Sequence, residues 1–143
     1  MYRHSYRAGA LLPIGLTLTL GLILGGQAGA ANPETAERRL KQLVSGLEVY
    51  ELYCARCHDV SRPRVGTDAL GGRIDAGALA WHGTMERLHW YVSNYMPFDR
   101  PASLDPQDYY DVLAFLLYKH DLLPHDLVIG SETLGEVKLP AYR

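Results

Sequence analysis

The sequence predicts a small all-helical domain with long loops, and three observations lead to that prediction. Three segments of the 143-residue chain combine a helix-capping residue with apolar residues at helical spacing. The stretches between these segments are rich in glycine and proline, which interrupt regular structure. No segment shows a convincing alternation of apolar and polar residues, so no β-strand is expected.

The first predicted helix extends from Pro33 to about His58. Asn32 is a suitable N-cap, and proline is favoured at the first helical position. Apolar side chains then recur every three or four residues, at Leu40, Leu43, Val44 and Leu47. A break of this helix near Ser45 and Gly46 remains open.

Two further helices are predicted downstream. One has Thr84 as its N-cap and ends at Tyr95, because a residue that precedes proline, here Met96, disfavours the helical conformation. The other has Asp105 as its N-cap and Pro106 at its first position, and it continues through the sequence YYDVLAFLLYKH. Loops are predicted at residues 59–77 and 97–104.

The chain is predicted to consist of three parts. Residues 1–30 combine a basic start, an uncharged apolar run and a small-residue site at their end, which is typical of a cleaved secretory leader. A retained membrane anchor is the alternative, since the apolar run approaches the length of a spanning helix. Residues 31–120 would form one domain, and residues 121–143 an extended C-terminal tail. A leader of this kind places the mature protein in the periplasm.

The charge balance argues against one class of function. The chain has a formal net charge of −2, and the leader contains two of its arginines and none of its acidic residues. A nucleic-acid-binding domain would be strongly basic, so no nucleic-acid partner is expected. Four arginines lie close to the cysteines in the sequence, and two interpretations stay open for them, steering of an acidic partner or ordinary surface charge. They are Arg56, Arg62, Arg64 and Arg73.

The most informative motif is Cys-x-x-Cys-His, formed by Cys54, Cys57 and His58. A zinc site would need two further ligands, and a redox-active cysteine pair would need a βαβ context. A disulfide across so short a loop would stabilise little. Two thiols at this spacing can instead bond to the two vinyl groups of one porphyrin, and the following imidazole can coordinate its iron. Covalent haem attachment is therefore the favoured interpretation.

A second axial ligand to the iron is expected downstream. Met96 is the preferred candidate, because it lies where a helix ends and the chain must turn, and ferrous iron accepts a thioether ligand. Met85 would lie in the first turn of the second helix, where a buried packing role is expected. His82 and His89 remain alternatives, because haems with two histidine ligands exist.

These residues resemble the class I c-type cytochromes. The resemblance covers residues 46–120 and includes the sequences GLEVYELYCARCH, YMP and YYDVLAFLL. It implies the class I cytochrome c fold, with three main helices and long loops around one covalently bound haem c. In that family a glycine and an aromatic residue of the first helix cross the last helix beside a further aromatic residue. Here these would be Gly46, Tyr50 and Phe115, with the aromatic rings sealing one edge of the haem.

The resemblance also implies roles for a proline and for the tail. Family members place a proline carbonyl against the axial imidazole, and Pro63 is the nearest candidate, although the usual Gly-Pro pair is missing. The sequences MPFDRPASL and LGEVKLP are similar to the monohaem cytochrome subunits of bacterial sulfite or sulfane dehydrogenases. That similarity favours a tail that packs on a dehydrogenase subunit. The alternative is a tail that closes over its own domain.

The expected function is the transfer of single electrons. The resemblance implies an electron carrier or the electron-accepting subunit of a dehydrogenase, which exchanges electrons with a terminal oxidase or another cytochrome. No paired carboxylates and no activated nucleophile are evident, so the chain itself is not expected to be an enzyme. The alternative is a haem protein with an open sixth position that acts as an enzyme or as a small-ligand sensor.

Overall fold

The computed structural model describes residues 32–59 and 72–141, and every regular element within them is helical. This confirms the predicted fold class. No helix in these two ranges is long and apolar enough to cross a membrane. In chain order the elements are α1 (Pro33–Val49), a π-helical turn (Tyr50–Cys54), α2 (Ala55–His58), α3 (Ala76–Ala80), α4 (Met85–Tyr95), α5 (Pro106–Lys119) and a 3-10 turn (Leu134–Glu136).

The predicted helix starts are confirmed. The Asn32 side chain accepts a hydrogen bond from the Glu34 N–H at 3.1 Å, and the Thr84 hydroxyl accepts one from the Arg87 N–H at 3.3 Å. Asp105 occupies the N-cap position of α5, although its side chain makes no capping hydrogen bond. The capping signals in the sequence therefore place all three main helices correctly.

The first helix continues through Ser45 and Gly46 and changes its hydrogen bonding only at the π-helical turn. The Ala55 N–H donates to the carbonyl of Tyr50, five residues earlier. An extra residue in a helical turn rotates every side chain that follows it. The π-helical turn thus sets the direction in which α2 presents the Cys-x-x-Cys-His motif.

α1 and α5 cross at Gly46 with their backbones in close contact. A Cβ atom at Gly46 would overlap the carbonyl oxygen of Asp111 and would lie 2.9 Å from the Cβ of Phe115. Only glycine fits such an approach. One turn further on, the rings of Tyr50 and Phe115 pack at 5.4 Å between centroids, and the Lys119 ammonium lies 5.1 Å from the Tyr50 ring centre. The predicted crossing is confirmed.

The core is arranged around α5, which is buried along most of its length. Its buried residues contact α1 and α4, where Val49 and Met85 are also buried. Met85 has no exposed surface, as predicted for a packing residue. The buried residues of α5 are Tyr109, Asp111, Val112, Leu113, Ala114, Leu116 and Leu117.

The tail packs on this same core. It contains turns and one short 3-10 turn, and it is otherwise extended. Its buried apolar side chains belong to one cluster with those of α1, α4 and α5. The structure therefore supports the second of the two expected arrangements, a tail closed over its own domain. The buried tail residues are Leu123, Leu127, Ile129, Leu134 and Val137.

A buried glutamine fastens the tail to the helices. Gln42 of α1 accepts a hydrogen bond from the Ile129 N–H and donates one to the Ile129 carbonyl, both at 2.8 Å. The same amide donates to the Asp111 carboxylate at 3.0 Å, which also accepts from Gln107 at 2.7 Å. These bonds satisfy the backbone of Ile129, which pairs with no strand among the residues that the structure describes.

Gly46→Ala tests the helix crossing. Because the added methyl group would overlap backbone atoms of α5, we expect the free energy of unfolding to fall by about 3 kcal/mol or more. Thermal and guanidinium unfolding of the purified protein measure the change. Gly130→Ala is the matched control, since a Cβ there meets no atom within 4 Å and its stability should be nearly unchanged.

Ile129→Ala tests the packing of the tail. Ile129 is almost fully buried, so we expect a loss of about 2–4 kcal/mol in the free energy of unfolding. Lys138→Ala, on an exposed position of the same segment, should have little effect. Wild-type stability in the Ile129 variant would show that the tail is not part of the core.

Candidate functional site

A cavity between α2, α4 and α5 brings the predicted site residues together. It has two adjoining compartments, of about 210 Å³ and 60 Å³. The smaller compartment is lined by Cys54 and Cys57, and both compartments are lined by His58 and Met96. His58 and Met96 lie far apart in the sequence, and the fold places both at one cavity.

The two cysteines enter the cavity as thiols rather than as halves of a disulfide. Burial raises the pKa of the Cys54 thiol to about 12, and the neighbouring Cys57 adds a smaller upward effect. Cys54 is thus protonated at neutral pH and is a weak nucleophile in the closed structure.

His58 is oriented by a backbone carbonyl. Its Nδ1 lies 2.7 Å from the carbonyl oxygen of Gly72. A carbonyl can only accept a hydrogen bond, so Nδ1 carries the proton and Nε2 keeps its lone pair for a metal ion. Pro63, which the family resemblance suggested for this contact, lies outside the described residues. Gly72 supplies the contact in this structure.

Met96 is held by a tyrosine of α5. The Tyr109 hydroxyl donates to the Met96 carbonyl at 3.2 Å and accepts from the Leu104 N–H at 3.2 Å. Tyr109 is buried, so these bonds are shielded from water. The loop that follows α4 is therefore fixed at the point where Met96 faces the cavity.

The two alternatives to Met96 as an iron ligand, His82 and His89, lie in different places. His82 lines the larger compartment together with His58 and Met96. His89 stacks on Tyr110 at 4.5 Å between ring centroids, in a depression that neither compartment shares. Burial lowers the pKa of both histidines, and Arg87 lowers that of His82 further. Of the two alternatives, only His82 faces the cavity.

Most of the cavity wall is apolar. Besides the cysteines and His58, its polar side chains are Arg73, His82 and Tyr91 in the larger compartment and Tyr53 in the smaller one. Among the described residues, no three His, Cys, Asp or Glu side chains converge as a metal-binding set. The further ligands that a zinc site would need are thus missing from this part of the chain. The apolar side chains of the wall include Ile74, Leu79, Leu88, Val92, Leu113 and Leu116.

Comparison with protein families agrees with this geometry. The family described as "Cytochrome C oxidase, cbb3-type, subunit III" matches residues 41–116, which is more than half of the chain. The chain belongs to this family. It is a c-type cytochrome, a haem protein of electron transfer. No curated protein and no solved structure matches the chain significantly.

The residues of this cytochrome fit the haem that the family carries. A porphyrin has a broad apolar ring, two vinyl groups on one edge and two carboxylates on another. The cavity offers an apolar wall, two thiols in one compartment, and an arginine, a histidine and a tyrosine in the other. An imidazole and a thioether are the pair of axial ligands found in cytochromes c. The donor set therefore matches the group.

The sequence did not indicate several residues of the site. One residue that it did indicate, Tyr50, lies outside the cavity. Gly72 and Tyr109 act through hydrogen bonds that no motif signals, and the apolar wall is assembled from three helices and a loop. Tyr50 lies in the seam between α1 and α5 and is not among the residues that line the cavity. Its contact with the edge of the haem stays a prediction.

Tyr109→Phe tests how the Met96 loop is held. The ring keeps its packing, while a carbonyl and an N–H lose their partner, so we expect a loss of about 1–2 kcal/mol in stability. Chemical unfolding, followed by circular dichroism, measures it. Tyr118→Phe on the exposed side of α5 is the control and should unfold like the wild type. Equal stability of both variants would contradict the role of Tyr109.

Proposed function

We propose that this cytochrome transfers single electrons in the periplasm through one haem c. Cys54 and Cys57 would hold the porphyrin, and His58 and Met96 would bind the iron. The observation that supports this most directly is that one cavity is lined by both thiols, the imidazole and the thioether. When bound, the haem supplies an iron ion that cycles between the ferric and ferrous states.

The protein's contribution is to keep both axial positions filled and water away. His58 is oriented by Gly72, and the backbone of Met96 is held by Tyr109. With His58 and Met96 both bound, the haem iron would have no open position for a substrate, which would favour electron transfer over catalysis. A thioether ligand and an apolar wall both favour the less charged ferrous state and raise the reduction potential.

The family description indicates which class of redox partner to expect. A chain related to an oxidase subunit suits an electron acceptor of the oxidase class, and a dehydrogenase or another cytochrome suits the donor. The narrower resemblance to subunits of sulfite or sulfane dehydrogenases has no support in the comparisons. The tail, whose sequence LGEVKLP is part of that resemblance, packs on the domain itself. We therefore propose a redox partner without specifying the donor's substrate.

The location in the periplasm rests on residues 1–30, which lie outside the described residues. Covalent attachment of haem through Cys54 and Cys57 agrees with export, because c-type haem is attached to its protein outside the cytoplasm. A membrane contact through these residues is proposed only if they are retained.

Met96→Ala tests the axial ligand. Loss of the thioether should open the sixth position, lower the reduction potential and allow carbon monoxide to bind to the ferrous protein. Visible absorption spectra and potentiometric titration measure these changes. The weak long-wavelength band of the ferric protein that comes from the sulfur–iron bond should disappear.

Two variants serve as controls for Met96→Ala. Met85→Ala should leave the spectrum unchanged and reduce stability by about 2–5 kcal/mol, because Met85 is fully buried in the core. His82→Ala should also leave the spectrum unchanged. If His82→Ala opens the iron and Met96→Ala does not, the sixth ligand is His82. If the wild type itself binds carbon monoxide, the protein is an enzyme or a sensor instead.

A further inference from the structure

Five aromatic rings form a continuous chain on one side of the molecule. Trp81 contacts His82 edge-to-face with 5.2 Å between ring centroids, and His82 packs against Tyr91 at 4.7 Å. Tyr91 contacts Tyr95 at 5.4 Å, and Tyr95 contacts Trp90 at 5.5 Å. These are separations at which aromatic rings attract each other. The five residues, called the aromatic cluster below, therefore form one surface.

The inner end of the aromatic cluster reaches the haem cavity. His82 and Tyr91 line the larger compartment, together with His58 and Met96. Neither cysteine lines that compartment, and neither His82 nor Tyr91 lines the compartment of the cysteines. The cluster thus joins the cavity away from the point of covalent attachment.

The outer end of the aromatic cluster is exposed to solvent. Trp81 is 66% exposed, Trp90 57% and Tyr95 48%. Burying apolar surface stabilises a protein by about 25 cal/mol for each Å², and these exposed rings do not provide that stabilisation while they stay in water. Contiguous apolar patches on a protein surface mark binding sites, and tryptophan and tyrosine carry much of the free energy of protein interfaces. The exposed rings therefore indicate a contact with another molecule.

The aromatic cluster is nearly uncharged. Its members are two tryptophans, two tyrosines and His82, and burial and, to a smaller extent, the charge of Arg87 lower the pKa of His82. Arg73 lines the compartment next to the cluster, and its charge interacts with that of Asp75, which is opposite in sign. A partner with a strongly charged face would have to dehydrate its charges against neutral rings, which is unfavourable. The charge distribution fits a partner with an uncharged contact face.

We propose that the aromatic cluster is the docking surface for an electron-transfer protein with an uncharged, apolar contact face. The proposal rests on the proposed function, because it requires a haem in the cavity that exchanges electrons. A partner seated on Trp81 and Trp90 is connected to the cavity by the rings of His82, Tyr91 and Tyr95. One electron passes through these packed side chains, so that one centre is oxidised by one electron as the other is reduced.

The test uses the haem-loaded cytochrome, with a small blue-copper protein whose copper site opens on an uncharged aliphatic face as the redox probe. Stopped-flow mixing of the reduced cytochrome with the oxidised copper protein gives the second-order rate constant. We expect Trp81→Ala and Trp90→Ala, made separately, to lower it about tenfold each. The wild-type rate constant should change less than about twofold between about 20 and about 200 mM salt, since neutral faces leave little to screen.

Leu40→Ala and Tyr118→Ala are the matched controls, because both side chains are exposed and lie outside the aromatic cluster. Their rate constants should equal that of the wild type. All four variants should keep the haem spectrum and the thermal unfolding midpoint, as expected for exposed positions. Where an alanine variant loses stability, Trp81→Gln or Trp90→Gln replaces it, since glutamine retains part of the side-chain packing.

Three outcomes would overturn the proposal. The first is an unchanged rate constant in both tryptophan variants. The second is a rate constant that changes steeply with salt, which would assign docking to charged groups such as the arginines. The third is that sedimentation shows self-association of the wild type that the tryptophan variants lose, while the rate constant does not change. The aromatic cluster would then be a contact between two copies of this chain.

A measurement without a protein partner separates this proposal from the proposed function. Dithionite should reduce the wild type and ferricyanide should reoxidise it, with full recovery of the spectrum. A wild type that fails this cycle contradicts the proposed function. A wild type that completes the cycle, and whose rate with the copper protein does not depend on Trp81 or Trp90, contradicts the docking surface alone.

Discussion

The close contact between α1 and α5 at Gly46 is the constraint on which the rest of this cytochrome depends. α1 continues into the π-helical turn and α2, so its position determines where Cys54, Cys57 and His58 lie. α5 lines the other side of the cavity and holds the Met96 loop through Tyr109. One backbone contact therefore fixes both sides of the haem site relative to each other. A larger residue at Gly46 would separate the helices and widen the cavity between them.

The tail extends this arrangement by completing the core. A domain of this size buries a limited apolar surface, and a large internal cavity reduces that surface further. The buried side chains of the tail supply additional contacts to α1, α4 and α5. Gln42 satisfies the backbone of Ile129 and one oxygen of Asp111 at the same place, so the polar atoms that the tail buries are paired. The tail is thus a structural part of the domain, whatever else it contacts.

The haem site is asymmetric, and the asymmetry gives its two ends different chemistry. One compartment presents Cys54 and Cys57 beside mostly apolar side chains. The other presents polar side chains and leads through packed aromatic rings to the surface. Covalent attachment at the cysteine end would leave the aromatic end available for the redox partner that we propose. Because the aromatic side chains are nearly uncharged, such a contact depends on shape and apolar area more than on charge.

The sequence alone determined the fold class, the starts of the three main helices and the presence of a Cys-x-x-Cys-His motif, because these depend on local patterns. Capping residues, prolines and the Cys-x-x-Cys-His spacing act over a few residues and can be read directly. The family resemblance added the crossing at Gly46, which the structure confirms. Pro63 and the arginines Arg62 and Arg64 lie outside the described residues.

Only the tertiary structure decided which distant residues meet. It showed that Gly72 orients His58, that Tyr109 holds Met96, and that His82 but not His89 faces the cavity. It also showed the tail on its own domain and the packing of His82 against Tyr91. These contacts join residues whose separation along the chain has no fixed relation to their separation in space. Local propensity cannot encode them, because they arise only when the helices pack and bring their side chains together.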